Sequence, residues 1–171
     1  MSRLERGLIA VFTGDGKGKT TAAMGAAVRA AGNGLKVSVI QFLKGGGFTG
    51  EAKSLKKLGV EFHQIGPSAF NYTKKDIEKQ RRGLKIAEQK VKSGRYDMVI
   101  LDEILDLIWF KHAKESEIVD ILKNKHPGTE IILTGHIKPK QIVRMADYVS
   151  EIKKIKHPFD KKIRARLGIE Y

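Results

Sequence analysis

The sequence predicts an α/β fold in which a largely parallel β-sheet carries helices on both faces. Three observations support this prediction. Short apolar runs alternate along the chain with longer stretches of helical periodicity, a pattern typical of strands that are joined by crossover helices. Residues 8–13 are apolar almost throughout, as expected of a strand that is buried on both faces. A glycine-rich turn then joins this strand to an alanine-rich helix at residues 20–31.

The other elements follow from apolar periodicity and from glycine and proline breaks. The first helix ends at the turn Gly32-Asn33-Gly34, and a long amphipathic helix at residues 74–93 ends before Gly94. Further strands are predicted at residues 36–41, 60–64, 98–103, 130–134 and 148–155, and further helices at residues 51–58, 104–110, 115–124 and 138–146. Loops occupy residues 42–50 and 65–73, and residues 156–171 form a basic tail. The residues that follow parallel strands are expected to line one crevice, because these strand ends meet at one edge of the sheet.

The composition indicates one globular domain that covers residues 1–171. The absence of cysteine excludes disulfides, thiol catalysis and zinc–thiolate sites. No apolar run approaches the roughly 20 residues of a membrane helix, and the N-terminus lacks the apolar segment of a secretory signal. A cytoplasmic protein without membrane partners is therefore expected.

The net charge of +14 allows two interpretations. It indicates either an anionic partner or a lysine-rich surface that keeps the protein in solution. The lysines are spread along the chain with few aromatic residues among them. This distribution favours the surface interpretation, so nucleic acid is not an expected partner.

The glycine-rich turn predicts a phosphate-binding loop. Residues 13–21 read Thr-Gly-Asp-Gly-Lys-Gly-Lys-Thr-Thr and lie between a predicted strand and a predicted helix. Glycines let backbone N–H groups converge on an anion, Lys19 supplies a full charge, and the Thr20 hydroxyl can ligate a Mg²⁺ ion held by the phosphates. Thr13 stands where the general pattern has a glycine, five residues before Gly18. The loop is therefore a variant in which the glycines are one residue closer together.

Two acids, Asp102 and Glu103, close an apolar strand at the position where phosphate-loop proteins hold a second acidic group. A carboxylate there can bind Mg²⁺ directly or through water, whereas the alternative is a polar strand end that caps the next helix. The phosphate loop upstream favours the metal interpretation. Which of the two acids contacts the metal stays open.

Several other residues allow both a structural and a functional interpretation. His136 follows a predicted strand and either faces a nucleotide or has a structural role. Trp109 lies on a short apolar helix and is predicted to be in the core. His112, His126 and His157 are interpreted as surface or structural residues. From the residues alone, a phosphate-loop kinase, a nucleoside-triphosphate hydrolase and a nucleic-acid-binding ATPase module remain alternatives.

The chain resembles the phosphate-loop ATP:corrinoid adenosyltransferases from about Gly7 onward. The segments that carry this resemblance are residues 13–23, 27–30, 41–45, 101–103, 133–135, 146–152, 156–159 and 168–171. The resemblance implies a RecA-like fold, a homodimer, and transfer of the 5′-deoxyadenosyl group of ATP to the Co(I) of a reduced corrinoid with release of triphosphate. It also implies an electron donor, expected to be a flavoprotein, that reduces Co(II) to Co(I).

The resemblance also implies roles for individual residues. The triphosphate would be held by Gly14, Asp15, Gly16, Lys17, Gly18, Lys19, Thr20 and Thr21. Arg29 would assist in the nucleotide site, and Thr20 with Glu103, beside Asp102, would bind Mg²⁺ or Mn²⁺. Phe70 and Tyr72 would lie near the corrin and exclude the lower axial ligand of cobalt. Lys19, Glu103, Phe70 and Tyr72 are thus the expected catalytic residues.

The chain departs from the family pattern in four places. Tyr72 stands where many relatives have tryptophan, and His136 stands where the family commonly has arginine. The residue before Ile163 is a lysine where a glycine is frequent. The segment before Gly7 is short, so a lid-forming N-terminal helix is not expected.

Overall fold

The computed structural model describes residues 3–45, 49–67 and 72–169. The strands of this part of the chain are β1 (Ile9–Thr13), β2 (Val37–Gln41), β3 (Glu61–Gln64), β4 (Met98–Asp102), β5 (Glu130–Thr134) and β6 (Tyr148–Glu151). They form one sheet in the order β3-β2-β4-β5-β1-β6, and every pairing of neighbours is parallel. The helices are α1 (Lys19–Gly32), α2 (Gly50–Lys57), α3 (Lys74–Lys92), α4 (Ile104–Trp109), α5 (Glu115–Lys123) and α6 (Lys140–Met145), and a 3₁₀ helix spans Pro158–Lys161.

Helices cover both faces of the sheet, which confirms the predicted α/β architecture. Successive strand residues point to opposite faces, so Ile9 and Val11 join one core while Ala10 joins the other. The first core packs the sheet against α3, α4, α5 and α6, and the second packs it against α1 and α2. The small side chains of α1, such as Ala23 and Ala27, are fully buried and allow this helix to lie close to the sheet.

The final strand is shorter than predicted. It ends at Glu151 rather than at residue 155, because the following residue pairs with the turn after β1 instead of with another strand. The Ile152 N–H still donates to the Thr13 carbonyl, but the Ile152 carbonyl accepts from the Gly16 N–H. The chain thereby leaves the sheet and crosses the glycine-rich turn.

The prediction that Trp109 belongs to the core is wrong, since 63% of this residue is exposed. Helix α4 ends at Trp109, and the backbone reverses at Lys111, which has a φ of 59°. Ala113 therefore occupies the next buried position of the chain. Among the described residues, no helix has the length and apolar character needed to cross a membrane.

Candidate active site

The glycine-rich turn lies between β1 and α1, as predicted, and its lysine folds back over it. The Lys19 Nζ donates to the Gly14 carbonyl at 2.7 Å and to the Gly16 carbonyl at 2.9 Å. Burial lowers the pKa of Lys19, and the charges of Asp106 and Asp15 oppose this shift. Thr13 is fully buried, and its hydroxyl donates to the Ile137 carbonyl at 2.8 Å. Thr13, which stands where the general pattern has a glycine, thus fixes the end of β1 to the backbone at Ile137.

The turn is fastened to the chain that leaves β6, which we call the C-terminal segment (residues 152–169). The Gly16 N–H donates to the Ile152 carbonyl at 2.8 Å, and the Lys154 N–H donates to the Asp15 carboxylate at 3.0 Å. The second bond is the main reason why the pKa of Asp15 is lowered. The Asp15 side chain therefore joins the glycine-rich turn to the C-terminal segment.

The backbone of the turn depends on Gly14. Its φ is +107°, and a Cβ atom there would lie 2.3 Å from the Ile152 carbonyl oxygen. We expect Gly14→Ala to lower the melting temperature and to weaken ATP binding by at least about tenfold, because a left-handed alanine costs about 1–2 kcal/mol before any clash. Gly25→Ala is the matched control, since a Cβ at this α1 position meets nothing within 4 Å. It should bind ATP normally and gain up to about 1 kcal/mol of stability.

Thermal unfolding and ATP titration of both variants test this expectation. Normal ATP affinity in Gly14→Ala would show that nucleotide binding does not require the observed turn geometry.

Asp102 is the centre of a buried polar cluster at the carboxyl edge of the sheet. It is 0% exposed, and the strand register places it beside Gln41. Its Oδ1 accepts from the hydroxyls of Thr20 at 2.9 Å and Thr134 at 2.7 Å, and its Oδ2 accepts from the Gln41 side-chain amide at 2.8 Å. Asp102 therefore connects β2, β4, β5 and the start of α1, and it directs the Thr20 proton inward.

Glu103 has a different environment from its neighbour. It takes a left-handed conformation with φ 62°, which ends β4 one residue earlier than predicted. Its N–H donates to the Thr134 hydroxyl at 2.8 Å, whereas its Oε2 is buried without a hydrogen-bond partner. Burial and the charge of Asp102 raise the pKa of Glu103 to about 7. An unpartnered buried carboxylate oxygen is suited to binding a cation.

The residues fit a metal ion that shares its coordination with a substrate. No group of three or more acidic or histidine residues that could hold a metal occurs in residues 3–45, 49–67 and 72–169. Mg²⁺ is commonly bound by one or two carboxylates while phosphates and water complete the shell. Thr20 and Glu103 are suitable protein ligands for a Mg²⁺ ion that is bound in this way.

The glycine-rich turn and Glu103 line one crevice of about 510 Å³. This volume is within the usual range of small-molecule sites. Its lining includes Asp15, Gly16, Lys17, Gly18, Lys19, Thr20, Thr21, Met24, Lys44, Glu51, Glu103 and His136. The predicted phosphate and metal residues therefore come together, apart from the buried Asp102 and the backbone of Gly14. His157, Gly168 and Ile169 of the C-terminal segment also line the crevice. The residue types of this segment do not by themselves predict that it lines the crevice.

Two predicted residues lie outside this crevice. Arg29 is exposed on α1, ten positions after Lys19 and thus about 15 Å farther along the helix. Tyr72 is half-buried, with its ring centroid 5.1 Å from that of Phe110 and 4.9 Å from that of His112. Burial, followed by the charges of Glu103 and Asp106, raises the Tyr72 pKa. Phe70 lies outside the described residues.

A solved structure shares the fold of this chain. The flagellar accessory protein FlaH from Methanocaldococcus jannaschii matches with a TM-score of 0.58 and 16% identity, over 86% of this chain and 72% of that protein. At this identity the likeness concerns the fold alone. The predicted RecA-like architecture is confirmed.

Sequence comparisons are more specific. The corrinoid adenosyltransferase of Escherichia coli K12 is 39% identical over 171 residues, and the corrinoid adenosyltransferase CobA of Salmonella typhimurium is 40% identical over 172 residues. Each match covers 98% of this chain and 87% of the relative. A Sinorhizobium corrinoid adenosyltransferase is 34% identical over 98% of this chain and 81% of its own length. The family model of the ATP:corrinoid adenosyltransferases BtuR/CobO/CobP matches residues 5–171, and the chain belongs to this family.

Proposed function

We propose that this protein transfers the 5′-deoxyadenosyl group of ATP to the Co(I) centre of a reduced corrinoid and releases triphosphate. The family to which the chain belongs is named for adenosyl transfer between ATP and a corrinoid. The observation that carries the proposal is that the glycine-rich turn and Glu103, whose Oε2 has no hydrogen-bond partner, line the same crevice. Such a crevice suits the triphosphate of ATP with a divalent cation.

The chemistry needs no nucleophilic side chain. Co(I) supplies the electron pair that forms the cobalt–carbon bond, and the bond between C5′ and the phosphate oxygen breaks with its pair on that oxygen. Triphosphate therefore leaves with one additional negative charge. The protein's task is to bind this leaving group through backbone N–H groups and the Lys19 ammonium, which stabilise charge as it develops.

The metal would be Mg²⁺ or Mn²⁺, held by Thr20 and Glu103. Because Thr20 donates its proton to Asp102, the lone pairs of its hydroxyl remain for a cation. Asp102 already accepts three hydrogen bonds, so we assign it the positioning of Thr20. When bound, the cation neutralises phosphate charge.

Charge removal at the two acids should have different consequences. Glu103→Gln should raise the Mg²⁺ concentration needed for half-maximal activity by at least about tenfold with little change in melting temperature, since its Oε2 has no partner to lose. Asp102→Asn should mainly lower the melting temperature, because an amide N–H would face donors in a buried site. Metal titrations and thermal unfolding of both variants decide the assignment. A larger metal defect in Asp102→Asn would reverse it.

Further parts of the proposal extend beyond the crevice. Tyr72 and Phe70 would contact the corrin, a flavoprotein would reduce Co(II), and the protein would act in the cytoplasm as a homodimer. The homodimer is supported by the C-terminal segment, in which Ile155, Phe159 and Leu167 are 85%, 76% and 80% exposed. Exposed apolar side chains of this size in one segment are typical of a surface that another protein covers.

The direct test is incubation with ATP and chemically reduced cobalamin, with product absorbance followed and the released phosphates identified. We expect one triphosphate for each adenosylated corrinoid. Release of ADP would indicate a kinase, and release of phosphate without corrinoid would indicate a hydrolase. A nucleic-acid-binding ATPase would instead bind nucleic acid with an affinity that falls steeply with salt.

A further inference from the structure

A histidine and a buried aspartate form a rigid pair at the edge of the crevice. The His136 N–H donates to the Asp106 Oδ1 at 2.7 Å, and the His136 Nδ1 lies 2.9 Å from the Asp106 Oδ2. One carboxylate thus fixes both the backbone and the ring. Asp106 is only 3% exposed, in the first turn of α4.

Close packing keeps this pair in place. His136 follows Gly135, where a Cβ atom would lie 2.5 Å from the Leu105 Cβ. The absence of a side chain at Gly135 therefore lets the end of β5 approach α4. The His136 side chain is still 56% exposed and lines the crevice. With Nδ1 held by Asp106, Nε2 is the ring nitrogen that remains for a ligand.

We propose that His136 is a phosphate-binding residue whose Nε2 donates to the phosphate chain of ATP and of the triphosphate product. The inference rests on the proposed function for the presence of ATP in the crevice. It assigns to Asp106 the role of a positioning residue, which acts on the ligand only through the imidazole.

Charges of both signs act on His136. Asp106 of α4 faces the ring directly, and the other charges that act on it are Lys19 of α1 and Glu103 after β4. The hydrogen bond to Asp106 raises the pKa of His136, while burial and Lys19 oppose this shift. A raised pKa means that the ring carries its charge below this pKa and loses it as the pH rises through it. A doubly anchored imidazolium beside Lys19 is suited to a phosphate oxygen.

Binding of inorganic triphosphate and of ATP, without corrinoid, tests the inference by calorimetry across the neutral range of pH. His136→Ala should bind triphosphate about ten- to a hundredfold more weakly than the natural protein at mildly acidic pH. The difference should disappear at alkaline pH, where the imidazole is neutral. Ionisation of the ligand itself is common to both proteins and cancels in this ratio.

Three further variants separate binding from folding. His136→Arg should match the affinity of the natural protein at mildly acidic pH and exceed it at alkaline pH, because a guanidinium stays charged. His136→Gln keeps a donor near Asp106 but should bind weakly at every pH. Asp106→Asn should shift the loss of affinity to lower pH, since it removes the charge that stabilises the imidazolium. His126→Ala is the matched control, because His126 precedes β5 and thus lies at the amino ends of the strands, away from the crevice. The pH profile of His126→Ala should equal that of the natural protein.

Equal triphosphate affinity of the natural protein and of His136→Gln at every pH would overturn the inference. So would a ratio of His136→Arg affinity to natural-protein affinity that stays the same across the pH range. Since these measurements contain no corrinoid, they do not depend on whether a corrinoid is the acceptor. Loss of adenosyl transfer alone, with an unchanged triphosphate profile, would likewise count against phosphate binding by His136.

Discussion

Lys19→Ala should abolish adenosyl transfer, with a loss of at least about a thousandfold. The Lys19 ammonium already lies over the turn, held by the Gly14 and Gly16 carbonyls, where a phosphate would replace these weaker acceptors. Its charge is half-buried, so it acts on the triphosphate with less screening than a surface lysine. Single-turnover transfer at saturating ATP and ATP affinity measured without corrinoid together show how much of the loss is binding and how much is chemistry.

Lys19→Arg is the informative companion variant. It retains the charge but replaces a compact donor with a planar fork, so it should recover part of the ATP affinity and little of the transfer rate. The melting temperature of both variants should stay close to that of the natural protein. Near-normal turnover of Lys19→Ala at saturating ATP would remove Lys19 from the mechanism.

Tyr72→Ala should slow the reaction that starts from Co(II) far more than the reaction that starts from Co(I). The Tyr72 ring packs against Phe110 and His112, and burial raises the pKa of its phenol. Bulk at this position would occupy the place of an axial cobalt ligand and exclude water. We expect a difference of about a hundredfold or more between the two starting states, and Phe70→Ala should behave in the same way.

The experiment compares both oxidation states for Phe70→Ala, Tyr72→Ala and Tyr72→Trp, with ATP affinity measured alongside. Tyr72→Trp should preserve or improve the Co(II) reaction, because it adds apolar bulk and removes the hydroxyl. Phe159→Ala, at an exposed aromatic of the C-terminal segment, should leave the ratio between the two states unchanged. Equal losses from both states in Tyr72→Ala would exclude the axial-ligand role, and no loss in either would exclude Tyr72 from the site.

Features that depend on neighbouring residues were predictable from the sequence. The glycine-rich turn between β1 and α1 is an example, since glycine spacing, Lys19 and the flanking apolar and alanine-rich runs are all local. The environments of Asp102 and Glu103 were not predictable. They differ because Gln41 and Thr134 arrive from other strands to satisfy the Asp102 carboxylate, while the Oε2 of Glu103, a residue in the left-handed conformation, has no hydrogen-bond partner.

Contacts between distant residues explain the other differences. The bond from Lys154 to Asp15 joins residues 139 positions apart, and the pair of His136 and Asp106 spans 30 positions. Neither contact produces a periodic pattern in the sequence from which it could be predicted. The prediction that Trp109 is buried was wrong for another reason. Apolarity predicts burial only while a helix continues along the core, and α4 ends at this residue.

The position of β1 within the sheet affects when the nucleotide site can form during protein synthesis. Of the strands that the structure describes, β1 is made first, whereas its partners β5 and β6 are made last. The turn after β1 also needs the Ile152 carbonyl and the Lys154 N–H. A nascent chain therefore carries its phosphate-binding residues for most of translation without the strands that shape them. We expect ATP to bind only after the chain as far as Lys154 has left the ribosome, so that nucleotide does not assist the folding of earlier segments.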